Sequence, residues 1–236
     1  MTSIRPEVVP YADDRLMDVH RPPAGAAGPA PVVLLWHGRG ADERDVLRPL
    51  AREAAALGLL VFVPDWRSDG PDGGRAELLA SLACARREAA AHGGDPERLV
   101  LAGWSLGGRE AVAVATRPDT SGGTRPVAAV GISSSYARPS AVTGDAPLDR
   151  LAAAPSPVPV WLVHGTEDEV VGPEHTRKLA EALPAAVLLE LPTDHAGVVM
   201  TAYDAGAGRC LPTDDPGVLH AGRRTAAVLA EAAGLR

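Results

Sequence analysis

The chain has 236 residues, 46% of them hydrophobic but only 3% aromatic, so a sizeable core is available and must be packed with Val, Leu and Ala. Its 23 basic and 30 acidic residues leave a net charge of −7, with no basic run and no aromatic-basic interleaving, which argues against a nucleic-acid partner. No apolar run approaches the length of a membrane span, and no apolar stretch follows a basic start at the N-terminus, so the expectation is a cytoplasmic protein with no membrane partner.

Short apolar runs alternate with helical patterns along the chain. The stretch before Pro31 is polar, with room for one or two antiparallel edge strands and a loop at "PPAGAAGPAP". "PVVLLWHG" (Pro31 to Gly38) reads as a strand, and "DERDVLRPLAREAAALG" repeats its apolar residues at helical spacing before stopping at Gly58. "LLVFVPDW" (Leu59 to Trp66) is the next strand, followed by a helix pattern from Gly74 to His92. "RLVLAGW" leads into a helix after Ser105, and "PVAAVGISSSY" (Pro126 to Tyr136) follows. The last strands, "VPVWLVHG" (Val158 to Gly165) and "AAVLLELP" (Ala185 to Pro192), are separated by a helix pattern from Pro173 to Leu183, and a final helix runs from about Pro216 to Gly234. Apolar strands without period-two alternation are buried on both faces, and strands separated by helices run parallel through right-handed crossovers. The fold class expected is therefore α/β: a mostly parallel, doubly wound sheet flanked by helices, in a single domain spanning residues 1–236.

In such a sheet the carboxyl ends of the strands form a crevice. One edge then collects His37 to Gly40, Asp65 and Trp66, Ser105, Ser133 to Tyr136, His164 to Asp168, and Asp194 with His195. Gly103-Trp104-Ser105-Leu106-Gly107 fits G-x-S-x-G, in which small residues let a strand turn abruptly into a helix and expose the serine hydroxyl. The pattern is common by chance, and the bland alternative is a serine that merely caps a helix. Here a strand precedes it and a helix follows. A serine needs a base to take its proton and an acid to orient that base. The chain order serine, acid, histidine is met by Asp168 after one strand and His195 after the next.

Glu167 and Glu169 are rivals for the acid, but point away if Asp168 points inward. Asp194 is poorly placed to reach the ring of its own neighbour and reads as a loop-stabilising residue. His37 and His164 read as structural, bonding loop backbone, while His20, His92, His175 and His220 have polar neighbours and are expected at the surface. Cys84 and Cys210 lack the spacing of a metal or redox motif and read as packing or surface residues. For an oxyanion, the backbone N–H of Leu106 is one donor and that of Arg39, in the "HGRG" turn, is the candidate for the second. Whether the Arg39 side chain rims the pocket, and whether Asp65 touches substrate or caps a loop, stay open. Trp66 and Trp104 either wall a substrate pocket or pack against helices.

With "HGRGADERDVLRPLA", "GWSLGG", "HGTEDEVV" and "DHAGV" in hand, the chain from about Pro31 onward resembles the α/β-hydrolase superfamily. Within it, the sequence resembles the phospholipase/carboxylesterase group, which includes acyl-protein thioesterase-like enzymes, and the dienelactone hydrolase-like esterases. The resemblance implies a serine hydrolase acting on carboxylic esters or thioesters, with no cofactor and no metal, Ser105 as nucleophile, Asp168 as acid and His195 as base. Two positions depart from the thioesterase-like pattern: Leu106 stands where glutamine is usual, and Asp194 where glycine precedes the histidine. Ser105 also replaces the cysteine of dienelactone hydrolases proper. The segment Ala137 to Pro157 is short and turn-like, with room for one helical turn at Leu148 to Ala153, so no full lid is expected. The glycine-rich stretch Asp204 to Gly217 either edges the site or is a plain surface loop. The alternatives are another triad hydrolase (peptidase, lactonase or perhydrolase) and a binder that keeps the fold without turnover. The oligomeric state stays open.

Overall fold

The computed structural model describes residues 6–25, 28–121 and 125–235, so Met1 to Arg5 and two residues of the expected Pro22 to Pro31 loop lie outside the described residues. Six apolar runs form parallel strands: β3 (Ala30–Trp36), β4 (Leu60–Pro64), β5 (Gly94–Trp104), β6 (Ala128–Ile132), β7 (Val160–Gly165) and β8 (Val187–Leu191). The polar N-terminal stretch supplies β1 (Glu7–Ala12) and β2 (Arg15–His20), antiparallel to each other, with β2 antiparallel to β4. The sheet order is β1-β2-β4-β3-β5-β6-β7-β8.

Alternate side chains of each central strand enter opposite cores, as the strand period requires. Leu34 and Trp36 join Phe62, Leu78, Val112 and Leu162 on one face, covered by α2 (Arg75–Ala89), α3 (Leu106–Ala115), α4 (Pro147–Ala153) and α5 (Glu174–Ala182). Val33 and Leu35 join Leu47, Val61, Val130 and Leu229 on the other, covered by α1 (Arg44–Ala56) and α6 (Pro216–Ala232). At the start of α6, Asp215 accepts the N–H groups of Gly217 and Val218 at 2.8 and 2.9 Å, with Pro216 at the first helical position. Register positions the functional edge: Trp36 pairs with Gly103, Trp104 with Ile132, and Gly165 with Leu191. The turns after β3, β5 and β6 therefore emerge side by side.

The structure differs from the sequence expectation in three places. β5 begins at Gly94 rather than near Arg98, because Gly94 and Asp95 pair with Ala30 and Pro31 across an irregularity in the register. The segment from 204 to 217 is partly regular: β9 (Thr201–Asp204) and β10 (Arg209–Pro212) form a separate two-stranded ribbon. Its strands are four residues long, too short to show a period. His20 and His92 are buried rather than at the surface. Strand β2 carries His20 inward, and His92 meets the edge of the Phe62 ring at 5.9 Å.

No lid covers the sheet edge from the segment 137–157. Its one helix, α4, has seven residues, and the segment is anchored by Ser140, whose hydroxyl donates to the buried Glu110 carboxylate of α3 at 2.6 Å. Among the described residues no helix is long and apolar enough to cross a membrane.

Candidate active site

The strand-to-helix turn at Ser105 is held in a conformation that L-residues avoid. Ser105 has φ 55° and ψ −122°, at a cost on the order of 1–3 kcal/mol. The surroundings determine it. Its N–H donates to Ile132 O at 2.8 Å, and its carbonyl accepts from Gly108 N–H at 3.1 Å and from the Ser134 hydroxyl at 2.6 Å. Small neighbours are a steric requirement: a Cβ on Gly103 would lie 2.2 Å from Gly107 O, and one on Gly107 would lie 2.3 Å from His37 O and 2.4 Å from Trp36 O. The start of α3 thus packs directly against the backbone of β3 and β5, leaving Ser105 half-buried at the sheet edge.

Two turns away, Asp168 and His195 are joined. Asp168 Oδ2 lies 2.7 Å from His195 Nδ1, while Oδ1 accepts the N–H groups of Val170 and Val171 at 3.0 and 2.8 Å. Burial pushes the Asp168 carboxyl up, but hydrogen bonds from His164, His195 and Val171 and the charge of His195 outweigh it and hold the group well below the usual carboxylate range. A carboxylate in that state accepts the Nδ1 proton and leaves Nε2 of His195 free to act as base. Trp104 ties this pair to the elbow. Its indole N–H donates to His195 O at 2.9 Å, and the two rings lie 5.0 Å apart. The residue preceding Ser105 therefore carries the histidine loop. Glu167 and Glu169 are exposed, and Asp194 caps its own loop by accepting from Ala196 and Gly197 at 3.1 and 2.7 Å.

The turn after β3 approaches Ser105 closely, since a Cβ on Gly38 would be 3.3 Å from Ser105 Cβ. Three successive carbonyls of this turn are anchored. His37 O accepts from the Trp66 indole at 3.2 Å, Gly38 O from His37 Nδ1 at 3.1 Å, and Arg39 O from the Ser68 hydroxyl at 3.0 Å. In a trans peptide the N–H points opposite the preceding C=O, so the His37 ring sets the direction of the Arg39 N–H. Glu43 completes the turn by accepting Gly40 N–H at 3.1 Å, with His37 Nδ1 at 3.6 Å. Burial raises its carboxyl, but bonding and charge from His37, the Gly40 N–H and the charge of His195 leave it below its usual range. Leu106, the first residue of α3, has one of the helix's unpaired N–H groups. The Arg39 side chain is exposed.

Sequence reasoning missed Ser134, Glu43 and the second partner of His164. Ser134 is visible only as part of the serine run at the end of β6, and Glu43 as an acidic residue three places past Gly40. His164 does bond loop backbone, its Nε2 lying 2.8 Å from Val171 O, yet it also faces Asp168. Trp66 and Trp104, the candidate pocket walls, are 0% and 4% exposed and serve as supports beneath the β3 turn and the His195 loop. Asp65 extends the pairing of β4 with β2, its side chain accepting Leu16 N–H at 2.8 Å and its own N–H donating to Leu16 O at 3.0 Å. The β9–β10 ribbon docks on α1 through an ion pair between Arg209 and Asp45. Among the described residues no group of three His, Cys, Asp or Glu side chains is arranged to hold a metal ion. A cavity of about 590 Å³ opens elsewhere, between β2 and the end of α1, lined by Val19, His20, Arg21, Arg52 and Ala55. Among the described residues its lining includes no serine or cysteine, and burial together with Arg48 and Arg52 lowers His20 to about 4.

No family profile matches the sequence, and no curated protein matches it. Solved structures do share its fold. A thermophilic esterase from the planctomycete Thermogutta terrifontis, solved with propionate bound, superposes with a TM-score of 0.73 at 19% identity, covering 96% of this chain and 92% of the other. The same esterase phosphorylated by paraoxon gives 0.69 at 21% identity, covering 96% and 92%. A proposed dienelactone hydrolase from Klebsiella pneumoniae gives 0.67 at 21% identity, covering 94% and 92%. The chain has the α/β-hydrolase fold.

Proposed function

We propose that the protein is a serine hydrolase of carboxylic esters, with Ser105 as nucleophile, His195 as general base and Asp168 as the acid that orients it. The observation that carries the reading is the strained, half-buried turn at Ser105 on the same sheet edge as the 2.7 Å Asp168–His195 pair, the two joined through Trp104. Strain of this kind persists where the surroundings enforce it, and it clusters at functional sites.

In this reading the Ser105 hydroxyl attacks the ester carbonyl carbon as Nε2 of His195 takes its proton. The oxyanion is received by the N–H groups of Leu106 and Arg39, each donor contributing a factor on the order of 10² to 10³. The intermediate collapses by expelling the alcohol, protonated by His195, and leaves an acyl ester on Ser105. Water, deprotonated by the same imidazole, attacks that ester, and the second collapse returns the free acid and Ser105. Asp168 stays ionised throughout. The short, anchored 137–157 segment leaves the crevice without a hydrophobic cover, which favours short- to medium-chain acyl groups over long lipids. The T. terrifontis esterase that shares this fold was solved with propionate and with butyrate bound, and that lends support to a short acyl group in this reading. A thioester is open to the same chemistry.

The test is hydrolysis of p-nitrophenyl esters from acetate to laurate by wild type and Ser105→Ala. Turnover that peaks at short acyl length and disappears in the variant is expected. Equal inertness of the two folded proteins, together with failure of Ser105 to react with a fluorophosphonate, refutes the reading and leaves a binder of hydrolase fold.

A further inference from the structure

Asp168 carries more donors than one base requires. Besides His195 Nδ1 on Oδ2 and two backbone N–H groups on Oδ1, a second imidazole faces Oδ2: Nε2 of His164 lies 3.3 Å away, and both side chains are fully buried. The same Nε2 is 2.8 Å from Val171 O. A carbonyl and an ionised carboxylate only accept, so this nitrogen carries a proton. The other nitrogen, Nδ1, is 2.6 Å from the Thr176 hydroxyl of α5, which lies 3.2 Å from Ser134 O. Held at both nitrogens, the ring is not free to turn away from the carboxylate.

We propose that His164 is a positioning residue for the base: it shares Oδ2 with His195, fixes the carboxylate plane, and weakens the acceptor that His195 meets. The effect on turnover rests on the esterase reading above; the shared carboxylate does not. An imidazole facing a partly neutralised carboxylate releases its proton more readily than one facing an unshared carboxylate. A base that must return its proton to a leaving alcohol benefits from that. The groups around the pair are few. Asp168 and the Thr176 hydroxyl face His164, while Asp168 and the Trp104 ring of β5 contact His195, with the Glu43 carboxylate of the β3 turn acting on it through charge and Asp194 adjacent in the chain. Of these described groups, His164 is the one that shares Oδ2 with His195.

The experiment compares His164→Leu, which removes the donor, with His164→Gln, which keeps an N–H within reach of Asp168. In kcat/KM against pH for p-nitrophenyl butyrate, the acidic limb of the Leu variant is expected to move to higher pH by about half a pH unit to one unit, a loss of roughly three- to tenfold on that limb. The Gln variant restores most of it. A limb that stays at its wild-type position in the Leu variant, however far the plateau falls, overturns the proposal. Should the Leu variant fail to fold, Thr176→Val, which releases Nδ1, moves the limb the same way by less, and an unmoved limb there is equally decisive. If wild type hydrolyses no ester, the esterase reading has failed and proton NMR decides the inference alone. The Nδ1 proton of His195 then moves downfield in the same variant, whose carboxylate is no longer shared, and an unchanged resonance overturns it.

Discussion

Asp168→Asn keeps the volume of the side chain and removes its charge. An amide oxygen still satisfies the N–H groups of Val170 and Val171, which Oδ1 takes at 3.0 and 2.8 Å. That orientation turns the NH₂ group toward His195 Nδ1 and His164 Nε2, where Oδ2 stood at 2.7 and 3.3 Å. A donor then faces two donors. His195 relieves the clash by moving its proton to Nε2, the nitrogen that in the proposed mechanism must be bare to accept from Ser105. The expected loss is on the order of 10⁴ in kcat, about 5.5 kcal/mol, measured with p-nitrophenyl butyrate at saturation on protein shown to be folded by circular dichroism. A folded variant retaining more than about a tenth of the wild-type kcat would refute the role given to Asp168.

The same carboxyl has a stability consequence with a definite sign. Its folded value is held below the ordinary 3.8, so its contribution is complete above that pH and is lost as pH falls through the folded value. Thermal unfolding of wild type is expected at progressively lower temperature below about pH 4, with the Asn variant lacking this part of the slope.

Gly107→Ala places a methyl group 2.3 and 2.4 Å from two backbone carbonyl oxygens, which forces the β3 backbone to move. A loss of about 3 kcal/mol is expected, a melting temperature lower by roughly 6–12 °C, and a change under about 2 °C would contradict the packing described. Trp104→Phe keeps a ring beside His195 but deletes the 2.9 Å bond to its carbonyl. A fall in kcat of about tenfold with little change in KM is expected; a raised KM at constant kcat would place Trp104 in the substrate pocket instead. Glu43→Ala frees Gly40 N–H and the turn that carries Arg39, so kcat is expected to drop about tenfold while KM holds. Unchanged kcat would separate Glu43 from the proposed oxyanion role of this turn.

Much of this protein was legible locally. The central strands are continuous apolar runs because both faces are buried, and such runs can be read without knowing their neighbours. Gly103-Trp104-Ser105-Leu106-Gly107 marks the elbow because only glycine tolerates the contacts its Cβ would make there, and those contacts arise wherever a strand turns straight into a helix. Asp168 and His195 follow from the order of turns along a parallel sheet. Tertiary structure alone decided the rest. Nothing in "WHGRGADE" says that Glu43 folds back onto Gly40 N–H, or that the indole of Trp66, 29 residues after His37, anchors its carbonyl. Trp66 and Trp104 carry the same side chain whether they line a pocket or support a loop, and burial, a property of the whole packed molecule, made both supports. His164 sits four residues from Asp168 in sequence, but whether its ring meets that carboxylate depends on α5 delivering Thr176 to its far side. Local residues specify what each segment can form; which side chains then share a buried hydrogen bond is set by distances that exist only after the sheet and its helices have closed around them.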